Sequence, residues 1–151
     1  AVGEVNVVTK MKETDALIGG EGNGGVIYPK LHYGRDALVG IALFLTLLAK
    51  SGKKVSELRA TYPNYAMSKQ RVDLPSDVDA GTLLERLAKE YSDKGDINLI
   101  DGVKIDLPTE WVHVRRSNTE PIIRIYTEAH TAEEAQRLAD DFKAVLLSYL
   151  N

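Results

Sequence analysis

The sequence predicts an α/β segment followed by an α+β domain, in which helices cover one face of an antiparallel sheet. In the first segment, a glycine-rich loop precedes one long apolar helix. The composition then becomes polar between residues 51 and 64. Beyond that point the pattern is strand, helix, hairpin, two strands and helix. We therefore assign residues 1–60 to one domain and residues 61–151 to a second.

The composition is that of an ordinary soluble globular chain. Of the 151 residues, 44% are hydrophobic and 27% are charged, and the formal net charge is −3. Because there is no basic tail or long charge run, neither nucleic acid nor a membrane surface is an expected partner. The absence of cysteine excludes disulfides, thiolate metal sites and cysteine nucleophiles. The first residues, AVGEVNVV, do not resemble a signal peptide, so we expect a cytoplasmic protein.

The first region is organised around a loop and a helix. Apolar residues at 5–8 indicate a short strand or the start of a helix, and Gly19–Gly25 is too rich in glycine to be the interior of an element. A helix is predicted over Asp36–Lys50, with its first residue as N-cap and Gly52 just beyond its end. Apolar residues surround this helix, so we expect other elements to cover it on more than one side. Its apolar run, Ala37–Ala49, is shorter than the ~20 residues that span a bilayer.

The second region contains alternating and helical apolar patterns in clear order. Asp101-Gly102 between two apolar runs predicts a hairpin, and Thr131 followed by Glu134 forms a capping box at the start of the last helix. The predicted elements are a helical turn at Val55–Ala60, strands at Tyr65–Leu74, Trp111–Arg115 and Ile122–Thr127, the hairpin within Ile97–Leu107, and helices at Asp79–Tyr91 and from Thr131 onwards.

The loop between the last two strands, Arg115–Pro121 (RRSNTEP), carries the most informative chemistry. Three adjacent small polar side chains can donate hydrogen bonds and favour turns that expose backbone N–H groups: Ser117, Asn118 and Thr119. Successive exposed N–H groups form a concavity that suits an anion. Arg115 can bracket a phosphate, and Arg124 on the next strand is a second cation, for phosphate or for a carboxylate. The alternative is a solvated turn whose side chains satisfy their own backbone.

The loop GGEGNGG at residues 19–25 suggests a ligand rich in hydroxyl groups. It lacks the GxGxxG register and a following GK[ST], and Glu21 would repel a phosphate. A carboxylate between glycines accepts hydrogen bonds from neighbouring hydroxyls, while Asn23 both donates and accepts. A flexible connector is the alternative interpretation. Together, the two loops indicate a phosphosugar.

The order and residue sequence of these motifs resemble those of the α-D-phosphohexomutase superfamily, which includes phosphoglucomutase, phosphomannomutase and phosphoglucosamine mutase. Gly19–Gly24 is similar to the GGE-x-[SN]-G loop that selects the sugar in the third domain of that family. Arg115–Pro121 is similar to the R-x-[SG]-[NG]-T-x-P loop that binds phosphate in the fourth domain, and Ile123–Ala129 continues the match. The resemblance implies the end of domain three and a complete, TATA-binding-protein-like domain four.

The resemblance also implies a mechanism. In this family, a phosphoserine in the first domain transfers phosphate to the sugar through a glucose 1,6-bisphosphate-type intermediate, and an aspartate-rich loop in the second domain holds Mg²⁺. The serine and aspartate loops have no match here, so the expected partners are the remaining N-terminal domains and a hexose phosphate. No catalytic or metal-binding residue is expected in this chain, which should not turn over substrate alone. By position, phosphate would be bound by Arg115, Ser117, Asn118, Thr119 and Arg124, and sugar hydroxyls by Glu21 and Asn23.

Several residues depart from the family pattern or lack a clear role. Many members have a histidine where this chain has Gly25, which weakens any transfer of phosphomannomutase-type specificity; His32 could substitute or have no role. Asp77 and Asp79 lie at a predicted helix start, where capping explains them better than metal binding does.

Two other functions remain open. One is a stand-alone phosphosugar- or anion-binding module, which an upstream coding sequence with the serine and aspartate loops would exclude. The other is a nucleic-acid- or partner-binding α+β domain that uses its sheet face. Its acidic balance and few aromatic residues argue against RNA binding.

Overall fold

A computed structural model of the chain describes residues 2–117 and 119–150. The chain forms two compact units, Ala1–Pro63 and Asn64–Asn151. The predicted phosphate-binding residue Asn118 lies outside the described residues.

The first unit combines three helices with a small antiparallel sheet. Its three strands are hydrogen-bonded in chain order. In sequence order, the elements are α1 (Glu4–Thr14), β1 (Gly19–Gly20), β2 (Val26–Tyr28), β3 (His32–Arg35), α2 (Ala37–Ser51) and α3 (Val55–Arg59).

The glycine-rich segment is only partly a loop. Gly19 and Gly20 form β1 and pair with Ile27 and Val26 of β2, so the prediction of a loop over all of Gly19–Gly25 is wrong at its first two residues. Glycine can enter an edge strand when a partner supplies the hydrogen bonds, and here β2 does so. The β2–β3 hairpin was not predicted, because its strands are only three and four residues long.

Helix α2 has the predicted ends. The Asp36 carboxylate accepts a hydrogen bond of 2.9 Å from the Val39 N–H, and Gly52 follows the helix with a left-handed φ of 64°. No helix among the residues that the structure describes is long and apolar enough to cross a membrane.

The expectation that α2 is covered on more than one side is wrong for this chain. None of its residues is buried, and its side chains remain exposed by 79% at Leu38 and 54% at Leu45. The first unit offers only a three-stranded sheet of short strands against this helix, which is too little apolar surface to enclose it. Gly40 of α2 packs closely on β2, since a Cβ there would lie 3.2 Å from the Val26 Cγ2.

The second unit is an α+β domain, as predicted. Its five strands are antiparallel and hydrogen-bonded in the order β4-β8-β7-β6-β5, so that the last strand in sequence lies between β4 and β7. The elements are β4 (Ala66–Asp73), α4 (Ala80–Glu90), β5 (Asp96–Asn98), β6 (Val103–Asp106), β7 (Trp111–Arg116), β8 (Ile122–Ala129) and α5 (Ala132–Ser148).

Alternation along the strands separates a buried face from an outer face. Val112 and Val114 of β7 and Ile125 of β8 are completely buried, and they share a core with residues of both helices, such as Leu87 and Leu146. The strand period of two therefore turns the intervening residues of β7 and β8 towards the outer face of the sheet.

The helix caps of this unit are those that the sequence predicts. The Thr131 hydroxyl accepts a hydrogen bond from the Glu134 N–H, and the Glu134 carboxylate accepts one from the Thr131 N–H. The Asp79 carboxylate accepts a 2.8 Å hydrogen bond from the Thr82 N–H at the start of α4. This backbone bond is the main cause of a lowered pKa at Asp79.

Asp79 should make the stability of the second unit sensitive to acid. Because its pKa is lowered on folding, its carboxylate stabilises the fold above its ordinary pKa of 3.8, and this contribution disappears as the pH falls through the folded value. We expect Asp79→Asn, which keeps an acceptor oxygen, to reduce the slope of unfolding free energy against pH between about pH 5 and pH 2. Denaturant titrations at several pH values measure it, and an unchanged slope would contradict the prediction.

Candidate functional site

The strand pairing brings the two predicted phosphate-binding arginines side by side. Arg115 of β7 and Arg124 of β8 are direct partners in the antiparallel register. Both are partly exposed, whereas their neighbours Val114 and Ile125 are completely buried, so both arginines belong to the outer face of the sheet. Two like charges directly opposite each other are unfavourable in a sheet. Carboxylates of Glu120 and Asp101, which lie 2.7 Å and 4.0 Å from Arg124 and Arg115, reduce this repulsion.

The guanidinium of Arg115 is incompletely satisfied. Its Nε is buried and has no hydrogen-bond partner. An Nη1 atom lies 4.0 Å from a carboxylate oxygen of Asp101, too far for a hydrogen bond, and the side chain is 22% exposed. A buried donor without a partner costs about 1–3 kcal/mol.

The turn before β6, Asp101-Gly102, packs against β7 next to Arg115. The ring of His113 bonds through Nε2 to the Asp101 carbonyl at 2.5 Å, and because a carbonyl only accepts, Nε2 carries the proton. Gly102 lies directly against β7: a Cβ at that position would be 2.7 Å from the Arg115 Cβ. Sequence reasoning identified Asp101-Gly102 only as a hairpin signal and missed its contact with the arginine.

We expect Gly102→Ala to destabilise the sheet strongly. Gly102 has a φ of 77°, which costs a residue with a Cβ roughly 1–2 kcal/mol, and the added methyl group would also collide with the β7 backbone. Gly52→Ala is the control, because its φ is 64° but no atom lies within 4 Å of the new Cβ. Amide hydrogen exchange measures the opening free energy of each unit separately. Equal losses of opening free energy for the two variants would show that the contact of the added methyl group with β7 has no energetic cost.

The described residues of the predicted phosphate loop form a tight connection between β7 and β8. The Ser117 N–H donates to the Ile122 carbonyl at 2.9 Å, which closes the loop at its base. At 3.4 Å, the Ser117 hydroxyl accepts from the Thr119 N–H and contacts the Thr119 hydroxyl. Both bonds lie within the loop, as expected for the alternative interpretation of a solvated turn whose side chains satisfy their own backbone. At this length the two bonds are weak.

Arg124 has a carboxylate partner. Its Nη2 donates to Glu120 at 2.7 Å, and both groups are partly exposed. The sequence left open whether Arg124 binds phosphate or pairs with a carboxylate. The structure shows the ion pair with the Glu120 carboxylate. The pair also orients the Arg124 guanidinium next to the loop, because Glu120 is a residue of the loop itself.

The predicted sugar loop is built in the first unit around its glutamate. One carboxylate oxygen of Glu21 accepts from the Gly3 N–H at 3.0 Å, and the other lies 3.4 Å from the Asn23 amide nitrogen. The Asn23 carbonyl oxygen accepts from the Gly25 N–H at 2.9 Å. The structure thus places Glu21 and Asn23 together. Both are already connected to the backbone that would surround a ligand.

His32 has a structural environment. Its Nδ1 accepts from the Gly34 N–H at 3.0 Å, which leaves the proton on Nε2, and Nε2 donates to Asp36 at 3.1 Å. Both ring nitrogens are therefore used at the start of α2. In the part of the chain that the structure describes, no group of three or more histidine, aspartate or glutamate side chains could hold a metal ion.

Comparison with known proteins assigns both units. Residues 1–65 match the family described as phosphoglucomutase/phosphomannomutase, alpha/beta/alpha domain III, and residues 67–145 match the family described as phosphoglucomutase/phosphomannomutase, C-terminal domain. The two matches follow each other in the order of the third and fourth domains of that family. The chain belongs to the phosphoglucomutase/phosphomannomutase family.

Similar proteins support this assignment. A probable phosphoglucosamine mutase of Methanopyrus kandleri is 38% identical over 93% of this chain, and a phosphoglucomutase/phosphomannomutase of Thermococcus kodakarensis is 41% identical over 89%. The crystal structure of a phosphoglucomutase/phosphomannomutase family protein from Burkholderia thailandensis superimposes with a TM-score of 0.73 at 28% identity, over 97% of this chain and 31% of that one. The chain spans 31% and 29% of the length of the two mutases.

Proposed function

We propose that this chain is the substrate-binding C-terminal portion of a phosphohexomutase that interconverts hexose 1-phosphates and 6-phosphates. Residues 1–60 would belong to its sugar-binding domain three and residues 61–151 would form its phosphate-binding domain four. The remaining N-terminal domains of the same protein are the proposed partners, because the chain spans about a third of its relatives. The exposed apolar side chains of α2 support this, since an alpha/beta/alpha domain has more sheet to cover such a helix.

The observation that carries the proposal is the unpartnered, buried Nε of Arg115. The guanidinium could bind a phosphate with two parallel hydrogen bonds, which is the geometry that arginine favours. Ser117, Asn118 and Thr119 would add hydroxyl, amide and backbone donors to the same phosphate. Arg124 would contribute its positive charge from the neighbouring strand, with Glu120 fixing its orientation.

Glu21 and Asn23 would bind the hydroxyl groups of the sugar ring. The Glu21 carboxylate only accepts hydrogen bonds, so it favours ligands that donate, and a sugar hydroxyl does so. With Gly3 and Asn23 holding the carboxylate, little side-chain entropy is lost when a sugar binds.

In the proposed reaction, a phosphoserine elsewhere in the protein passes its phosphate to the sugar. A glucose 1,6-bisphosphate-type intermediate forms, turns over in the site and returns the other phosphate to the serine. The residues of this chain would hold the phosphate that is not reacting, and so fix which end of the sugar faces the serine. Mg²⁺ would neutralise charge during transfer. Its ligands would lie in the remaining N-terminal domains.

Turnover by the full-length protein tests the proposal. We expect the full-length protein with Mg²⁺ to convert glucose, mannose or glucosamine 1-phosphate to the 6-phosphate, which ³¹P NMR resolves. The 151-residue chain alone should produce no 6-phosphate. Binding without turnover by the full-length protein would instead support a phosphosugar-binding module, and isomerisation by the chain alone would show that it contains the catalytic groups.

A further inference from the structure

Gly25 has no room for a side chain, because Arg35 occupies the space. A Cβ at Gly25 would lie 2.6 Å from the Cδ and 3.2 Å from the Cγ of Arg35, and 3.2 Å from the Asn23 carbonyl oxygen. The hydrocarbon part of Arg35 therefore packs on the glycine of the sugar loop. An arginine ten positions later in the sequence thus takes the place that a side chain of the loop would have.

Arg35 is held firmly at one side of its guanidinium. Its Nε donates to Glu4 at 2.9 Å, and its backbone N–H donates to the other oxygen of the same carboxylate at 3.0 Å. The backbone bond is the main cause of a lowered pKa at Glu4, so this contact favours the charged carboxylate. Glu4 orients the arginine without using its terminal nitrogens.

The two terminal Nη atoms are free to bind a ligand. Among the described residues, the Arg35 side chain makes a hydrogen bond only through Nε. Its side chain is 51% exposed, and it borders an open pocket of about 690 Å³ that Asn23, Gly25 and Glu4 also line. The pocket thus contains fixed donors that the protein does not use.

We infer that Arg35 is a specificity-determining residue that contacts the sugar. Its Nη groups donate to a hydroxyl oxygen of the ring, while Glu21 accepts from a hydroxyl hydrogen. A hydroxyl both donates and accepts, so this combination selects it over a hydrogen atom at the same ring carbon. Gly25 is required because any side chain there displaces Arg35. This inference rests on the proposed function, and it adds a residue that the motif does not contain.

Deoxy sugars test the contact directly in the full-length enzyme. Arg35→Ala should raise KM for glucose 1-phosphate about tenfold, as expected when a hydrogen bond to a charged group is lost. Among the 2-, 3- and 4-deoxyglucose 1-phosphates, at least one should show a large KM penalty with the wild type that disappears with Arg35→Ala. A purely structural role would change KM for all three by the same factor.

Two further variants complete the design. Gly25→Ala should raise KM in the wild-type background but have a much smaller effect in the Arg35→Ala background, because the 2.6 Å clash with Arg35 is then gone and only the 3.2 Å contact with the Asn23 carbonyl oxygen remains. Lys30→Ala removes an exposed positive charge from the turn between β2 and β3 and should leave KM unchanged. If Arg35→Ala lowers the melting temperature markedly, Arg35→Lys is measured with the same deoxy sugars.

The outcomes separate the two proposals. An active full-length mutase in which Arg35→Ala keeps every deoxy penalty of the wild type overturns the role of Arg35 only. A full-length protein without mutase activity overturns the proposed function, and the role of Arg35 with it. An additive effect of Gly25→Ala in both backgrounds contradicts the packing argument.

Discussion

Replacing Arg115 by alanine in the full-length protein should weaken hexose phosphate binding by a factor of roughly 30, about 2 kcal/mol. The guanidinium would bind the phosphate, which glucose, mannose and glucosamine phosphates share. The loss should therefore be similar for all three ligands. Isothermal titration in an inactive background, without turnover, measures it. A large loss for one sugar only would place Arg115 near the ring rather than near the phosphate.

The neighbouring arginine provides the matched control. Arg116 is exposed, and by the alternation of β7 it lies on the other face of the sheet, where its charge contributes to the lowered pKa of Asp79. Arg116→Ala removes the same charge one residue away, so it should weaken binding by less than about threefold. If both variants lose affinity equally, general electrostatic attraction is the cause, and the unpartnered Nε of Arg115 has no special role.

Leu146→Ala should be one of the most destabilising single substitutions in the second unit. Leu146 is completely buried near the end of α5, within the core that the sheet and both helices share. Truncating such a leucine typically costs 2–5 kcal/mol, because it removes apolar burial and leaves a cavity. Denaturant unfolding can be followed by the fluorescence of Trp111, the single tryptophan of the chain, which lies in the same unit.

The next residue serves as the comparison. Leu147 is 43% exposed, so Leu147→Ala should cost under about 1 kcal/mol. A pair of leucines in adjacent positions keeps helix propensity constant, and burial is then the main difference. Equal destabilisation by the two variants would contradict the packing of α5 against the sheet.

Local patterns predicted most of the second unit. The capping box at Thr131, the cap at Asp79 and the hairpin at Asp101-Gly102 are all present, because each depends on residues a few positions apart. The loop residues Ser117 and Thr119 were also found from sequence, by composition and by resemblance. Their binding roles stay predictions.

Tertiary contacts explain what the sequence did not predict. Arg35 packs on Gly25, which lies 10 positions earlier in the sequence, and is hydrogen-bonded to Glu4, which lies 31 positions earlier. No sequence periodicity indicates such contacts. The support of Arg115 by the Asp101-Gly102 turn is equally invisible before the strands are paired. The exposure of α2 was mispredicted because apolar residues around a helix indicate that other elements pack on it, but not that those elements belong to the same stretch of chain.

The exposed apolar residues of helix α2 should also affect the solubility of the 151-residue chain. Side chains such as Leu38, Ile41 and Leu45 lie more than half exposed along one 15-residue helix, and apolar areas of this kind promote self-association. At high concentration the 151-residue chain should aggregate and bind hydrophobic dyes. Substituting these positions with glutamate should reduce self-association of the 151-residue chain. If the proposed N-terminal domains cover α2, the same changes should destabilise the full-length protein.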